Sequence, residues 1–213
     1  PQPRCVPVDH LVLVAIDGVR WQDVFRGVDS ELLQRFSTGS SLRRQRFEGK
    51  TAPELVPEMH HLADTRGGWL GAFDQMPMSA SGPNFVSLPG YLELLTGRDP
   101  EGCGDNQCEL TARRTILDEW SVLNPDRQAA AFASWDGLNS LIPAQVGGKL
   151  SAIVGRPDGE EMADVVPATS KHKRSEITSE GAYPGHGEYL RDKYTAELAL
   201  RYLAKERPAL TFL

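Results

Sequence analysis

The sequence predicts an α/β fold with a mainly parallel central sheet flanked by helices. Two continuous apolar runs, residues 11–16 and 129–135, are rich in the residue types of strands buried on both faces. Amphipathic segments with helical spacing lie between such runs, and strands that alternate with helices favour parallel pairing. The 213 residues are 40% hydrophobic, which is enough for one domain with a substantial core. We therefore expect residues 1–213 to form part of a single α/β domain.

Each apolar run is a predicted strand. The predicted strands are residues 11–16, 69–74, 129–135, 150–155 and 209–213. Residues 11–16, "LVLVAI", are expected to be buried on both faces and to end at Asp17 and Gly18. We expect the sheet to be incomplete at its C-terminal end, because the chain stops inside the last predicted strand.

Amphipathic periodicity predicts the helices. They are expected over residues 91–96, 112–123 and 189–206, with a further helix that gives way to a basic loop within residues 31–48. Pro208 should end the helix before the last strand. Residues 156–188 are polar and are expected to form a long surface excursion.

Charge and hydropathy argue against nucleic-acid binding and against a membrane-spanning segment. The net charge is −6 and the pI is about 5.4, so no nucleic-acid polymer is expected to bind. No apolar run is long enough to span a membrane. The chain begins Pro-Gln-Pro without a methionine, which is consistent with removal of an export signal, and an extracytoplasmic location is expected. Nothing in the sequence indicates an oligomeric state.

Two of the three cysteines, Cys103 and Cys108, flank a short turn-rich segment, Gly-Asp-Asn-Gln. This spacing favours a small disulfide loop over a zinc site, because no second Cys or His pair has matching spacing. Cys5 is then left free or pairs outside this chain.

Three polar residues have both a structural and a chemical interpretation. Ser87 precedes a predicted helix, so it is either an N-terminal cap or a nucleophile at a site that favours negative charge. Asp17 follows a predicted strand, and is either a helix cap or partner of Arg20, or a metal ligand. Asn106 is either an ordinary turn residue or a donor to an oxygen that gains charge in a transition state.

The segments around these residues resemble the N-terminal motifs of the alkaline phosphatase superfamily. The residues that carry the resemblance are "VLVAIDGVR", "NFVSLPGYLELLTGR" and "GCGDNQC". The closest arm is that of the nucleotide pyrophosphatase/phosphodiesterase-like enzymes and related bacterial members. The resemblance implies an alkaline phosphatase-like fold and a metal-dependent phosphomonoesterase or phosphodiesterase that acts on a small phosphate ester.

The resemblance also implies roles for individual residues. Two divalent ions, zinc in most members, would clamp an in-line displacement at phosphorus. Asp17 would be a ligand of one ion, Ser87 would be the nucleophile and a ligand of the same ion, and Asn106 would bind a phosphoryl oxygen. Neighbouring families fit less well. Tyr91 stands where sulfatases need arginine, and residues 85–89 lack the glycines of the hydrolase Gly-x-Ser-x-Gly elbow.

The sequence departs from the family in its remaining metal ligands. The later Asp-x-x-x-His, Asp-His and final His motifs are absent, and none of the five histidines matches them: His10, His60, His61, His172 and His186. We therefore expect this chain to be the N-terminal part of a catalytic domain, able to supply only part of one metal site and inactive by itself. The alternative from another class is a non-catalytic binding domain that keeps the fold without a complete metal site.

Overall fold

The computed structural model describes eight stretches of the chain. They are residues 8–36, 41–72, 78–79, 85–109, 114–142, 150–154, 178–180 and 188–213. The chain divides into two compact units, Pro1–Ala15 with Ser81–Leu213, and Ile16–Ala80. We call the first the sheet unit and the second the helical unit, and each is described by itself.

The sheet unit contains all the strands of the described residues and three α-helices. The strands are β1 Leu11–Leu13, β2 Ala129–Ala133, β3 Leu150–Val154, β4 Thr178–Glu180, β5 Glu188–Leu190 and β6 Leu210–Phe212. The helices are α6 Ser87–Thr96, α7 Ile116–Leu123 and α8 Asp192–Glu206, and Asp136–Ser140 form a 3₁₀ helix. The helical unit contains α1 Trp21–Phe25, α2 Ser30–Phe36, α3 Ser41–Phe47, α4 Ala52–Leu55 and α5 Pro57–Arg66.

Four strands form a parallel sheet in the order β1-β6-β2-β3. Leu11 pairs with Leu210, Leu210 with Ala129, and Ala129 with Leu150, so the four strands start in register. The amide of Ala15 still donates to the carbonyl of Leu213 at 2.7 Å, which extends the β1–β6 pairing beyond the regular strand. The predicted mixed α/β architecture with parallel pairing is confirmed. β4 and β5 form a separate antiparallel pair.

Helices cover the two faces of this sheet. On one face, alternate residues of β2 and β6 pack in a core with Leu88, Leu92 and Leu95 of α6 and Leu117 of α7. On the other face, Phe132 packs in a second cluster with residues of α8. The alternation follows from the period of two along a strand, which sends successive side chains to opposite faces. All five residues of β2 are buried, as the sequence predicts for a strand covered on both sides.

The prediction that residues 11–16 are buried on both faces is wrong. Among the described strands β1 lies at an edge of the sheet, and its first two side chains are largely in solvent, with Leu11 53% and Val12 43% exposed. The apolar run correctly indicates a parallel strand, but burial also requires neighbours on both edges and both faces. The run itself carries no information about those neighbours.

Other boundaries also differ from the predictions. Residues 69–72 form no strand, and the rest of the predicted 69–74 strand lies outside the described residues. The predicted basic loop contains α3, because Leu, Arg and Gln are all good helix formers. The last helix begins at Asp192 rather than residue 189, since the preceding residues belong to β5. Most of the 156–188 excursion lies outside the described residues.

The helical unit is held by a cluster of aromatic rings and by one close backbone contact. The ring of Phe25 lies 4.9 Å from that of Trp69 and 5.3 Å from that of Trp21, centre to centre. Gly27 has a φ of +88°, and a Cβ there would lie 2.6 Å from the carbonyl oxygen of Lys50. Only glycine fits this position, where the chain passes the start of α4.

Candidate active site

Ser87 is the first residue of α6, and Val86 occupies the N-cap position with extended backbone angles. The interpretation of Ser87 as the helix cap is therefore wrong. Its side chain is half-buried, and the structure records no hydrogen bond from its hydroxyl to another described residue. The hydroxyl thus lies at the positive end of the helix dipole without a capping duty.

Most backbone amides of the first turn of α6 already have a hydrogen-bond acceptor. The amide of Leu88 donates to Oδ1 of Asn106 at 2.9 Å, and the amide of Gly90 donates to the carbonyl of Val86 at 3.2 Å. Pro89, buried between them, has no N–H. Within the described residues, the remaining amide of this turn is that of Ser87 itself. An anion at this end of α6 would therefore meet few backbone donors and needs side-chain donors as well.

Asn106 is held next to α6 by the disulfide loop that contains it. Cys103 and Cys108 are joined, with Cα atoms 5.1 Å apart, so the predicted disulfide is confirmed. Cys103 is buried in the same core cluster as Leu88, which anchors the loop against the helix. Val86, at the N-cap position, has no side-chain acceptor. Asn106, 18 residues beyond Leu88 in the chain, therefore caps the helix in its place.

The hydrogen bond to Leu88 also sets the orientation of the Asn106 amide. A backbone N–H can only donate, so the atom that faces it must be the amide oxygen. The NH₂ group is then the donor end of the side chain. This orientation is the one required of a residue that binds a phosphoryl oxygen.

The first half of α6 lies at the carboxyl end of the parallel sheet. Tyr91, one turn after Ser87, makes an edge-to-face contact with Phe212, the last residue of β6, at a centroid distance of 6.4 Å. Ligand sites of open α/β sheets form beyond the carboxyl ends of the strands. Ser87 and Asn106 are thus brought together in the sheet unit, close to this edge.

Asp17 lies two residues beyond Ala15, in a turn with Gly18, whose φ is +72°. The turn lies where the sequence predicts the end of the first strand, although β1 itself already ends at Leu13. Asp17 is exposed, so its carboxylate carries no burial cost that a metal or partner would have to offset. It belongs to the helical unit, and its placement together with Ser87 stays a prediction.

A metal site that uses Asp17 and Ser87 stays a prediction. No three His, Cys, Asp or Glu among the described residues lie close enough together to hold a metal ion. Asp17 and Ser87 offer oxygen ligands of suitable chemistry, but catalytic zinc usually takes three protein ligands.

The histidines do not extend this set. His10 Nδ1 donates to the carbonyl of Pro208 at 2.9 Å, and His60 Nε2 donates to that of Val24 at 2.8 Å. These two ring nitrogens are therefore engaged within the protein. His61 is exposed, and residues 172 and 186 lie outside the described residues.

A second hydroxyl at the same edge of the sheet escaped the sequence analysis. Ser134 directly follows β2, and its hydroxyl donates to Asp192 Oδ1 at 2.7 Å and lies 2.8 Å from the hydroxyl of Thr195. Both partners belong to α8, so Ser134 fastens this helix to the end of β2. Its place near the carboxyl end of the predicted strand 129–135 was the available signal. Because its hydroxyl is hydrogen-bonded to α8, Ser134 has a structural role and is not assigned as a second nucleophile.

The arrangement around α6 provides a hydroxyl at a helix N-terminus and an oriented amide donor fixed by a disulfide loop. Such groups suit attack on an electrophile that carries negatively charged oxygens. No described helix is both long and apolar enough to cross a lipid bilayer. Comparison of the chain with protein-family models, with curated proteins and with solved structures finds no match.

Proposed function

We propose that this chain carries the nucleophile of a metal-dependent phosphoryl-transfer hydrolase, a phosphomonoesterase or phosphodiesterase of the alkaline phosphatase superfamily. The observation that supports it best is the hydrogen bond between Leu88 N–H and Asn106 Oδ1. It links two of the three motifs on which the family resemblance rests, those of Ser87 and Asn106, and it orients the Asn106 amide. The proposed enzyme acts in its full-length form on a small phosphate ester.

In the proposed reaction, Ser87 Oγ attacks phosphorus in line with the leaving oxygen. The new Oγ–P bond forms as the ester P–O bond breaks, and the alcohol leaves with a proton. Water then hydrolyses the bond between Ser87 Oγ and phosphorus, and the hydroxyl of Ser87 regains a proton. The product is phosphate from a monoester and a phosphate monoester from a diester. The Asn106 NH₂ group donates to a non-bridging oxygen, where charge builds up in the transition state. The dipole of α6 favours the same negative charge.

A serine hydroxyl is a weak nucleophile at neutral pH and needs activation. Two bound divalent ions, in this proposal zinc, would supply Lewis-acid chemistry at the reacting oxygens. In this chain Asp17 and Ser87 are the proposed ligands, and both belong to one ion. The 213-residue chain alone is accordingly proposed to be inactive.

An extracytoplasmic location is part of the same proposal. It is supported by the Cys103–Cys108 disulfide, because such bonds persist mainly in oxidising compartments. In a reducing compartment the loop that holds Asn106 would lose its covalent closure.

The test measures hydrolysis of a chromogenic phosphate monoester and diester by the full-length protein, with and without added Zn²⁺. We expect metal-dependent turnover that the Ser87→Ala variant lacks and that the 213-residue chain does not show. A folded full-length protein that binds inorganic phosphate but hydrolyses neither ester would instead indicate a non-catalytic binding domain.

A further inference from the structure

Positive charge is concentrated in one segment of the helical unit. Residues 35–50 contain five arginines or lysines and one glutamate, whereas the whole chain has a net charge of −6. A local excess of this kind in an acidic protein indicates an anionic partner for that surface. The segment spans the end of α2 and all of α3, two helices that contact each other.

The same segment exposes large apolar side chains beside its arginines. Phe36 is 66% exposed and Leu42 is 77% exposed. The guanidinium carbon of Arg35 lies 5.7 Å from the ring centre of Phe36. We call Arg35, Phe36, Leu42, Arg44 and Arg46 the basic patch; all five are exposed.

The spacing on α3 places an apolar and a positively charged side chain on the same helical face. Leu42 and Arg46 are four residues apart, and such residues are neighbours on a helix surface. An apolar side chain can enter the boundary between headgroups and acyl chains, while a guanidinium beside it binds phosphate or carboxylate oxygens at the surface. The combination suits a helix that lies on a bilayer.

We propose that the basic patch binds the surface of an anionic lipid bilayer. The arginines favour an anionic surface by charge complementarity. The exposed Phe36 and Leu42 favour a lipid surface over a nucleic acid, because a phosphate backbone offers these two side chains no apolar contact. The acidic remainder of the chain is repelled by the same surface, so binding fixes which side of the helical unit faces the bilayer. This peripheral contact is independent of the proposed hydrolase activity.

The test is co-sedimentation of the 213-residue chain with vesicles of phosphatidylcholine alone, or containing about 30 mol % phosphatidylserine. We expect binding to the anionic vesicles alone, weakened as the salt concentration rises to about 0.15 M. The Arg44→Glu/Arg46→Glu variant should bind at least about 30-fold more weakly. Leu42→Ser keeps the charge and should bind about tenfold more weakly.

The matched control is Arg66→Glu/Lys205→Glu, which changes the net charge equally at two exposed residues outside the patch. It should bind within about threefold of the unmodified chain, and circular dichroism checks that every variant is folded. Absence of binding to anionic vesicles, or an equal loss in the control, overturns the proposal. Binding of a short DNA duplex that survives Leu42→Ser at the same salt would assign the patch to a polyanion instead.

Discussion

Oδ1 of Asn106 accepts a hydrogen bond of 2.9 Å from the backbone amide of Leu88, so a residue inside a disulfide loop caps a helix that begins at Ser87. The contact gives Asn106 two separable duties. Its oxygen caps α6, and its NH₂ group is the proposed donor to phosphate. The two duties require different atoms, so substitutions can separate them.

Asn106→Ala removes both duties, and Asn106→Asp removes only the second. The alanine variant should lose about 1 kcal/mol of unfolding free energy, because a helix-capping bond is lost. The aspartate variant keeps an acceptor for Leu88, so it should be more stable than the alanine variant. In the full-length protein both variants should hydrolyse phosphate esters poorly, since aspartate also repels the substrate. Urea unfolding and ester hydrolysis measure the two effects. An alanine variant as stable as the unmodified chain would refute the capping role.

The Cys103–Cys108 disulfide should stabilise the sheet unit by about 2 kcal/mol, from the loop entropy of so short a closed segment. The Cys103→Ser/Cys108→Ser variant should lose this amount in urea unfolding. Dithiothreitol should lower the stability of the unmodified chain to the same level and leave the double variant unchanged. If dithiothreitol destabilised the double variant equally, the Cys103–Cys108 disulfide would not be the source of the stabilisation.

Leu92 and Leu94 offer the same chemical change in two environments on α6. Leu92 is 1% exposed in the core between α6 and the sheet, whereas Leu94 is 47% exposed. Leu92→Ala should cost about 2–5 kcal/mol through lost burial and the cavity it leaves, and Leu94→Ala should cost much less. Thermal or urea unfolding measures both variants. Equal losses would mean that α6 does not pack on the sheet through this face.

Glu54 should make the stability of the helical unit depend on pH. Hydrogen bonds from the Thr51 backbone amide and then from its hydroxyl hold the pKa of Glu54 below its ordinary value of 4.5. A carboxyl whose pKa is lower in the folded state stabilises the fold fully above its unfolded pKa. That contribution is lost as the pH falls through the lowered folded pKa. Glu54→Gln keeps a capping side chain without the charge. Below pH 5, the unfolding midpoint of this variant should therefore depend less on pH than that of the unmodified chain. An identical pH profile in both proteins would contradict the assignment.

Local patterns in the sequence were sufficient to predict much of the secondary structure of the sheet unit. The apolar run around Phe132 predicted β2, and the spacing of Cys103 and Cys108 predicted their bond. Pro208 correctly indicated the end of α8, which stops at Glu206. Each of these features is decided by residues close in the chain, where composition and periodicity are informative.

Features that depend on distant residues were not predictable in this way. The run that contains Leu11 looked buried, but its place at the edge of the sheet is set by which strands pair. Ser87 looked like a helix cap, but Asn106 supplies the cap from another segment. The role of Ser134 depends on Asp192, which lies beyond three further strands. Proximity across the fold, rather than local propensity, decides all three.

The central claim is that Ser87 forms a covalent bond to phosphorus, and peptide mass spectrometry tests it most directly. The full-length protein with added Zn²⁺ is quenched in acid during turnover of a phosphate monoester, and its peptides are sequenced. The account predicts a phosphoryl group on Ser87, and at least about a thousandfold lower kcat in the Ser87→Ala variant. Turnover with no phosphoryl group on Ser87 and an undiminished kcat in Ser87→Ala would contradict it.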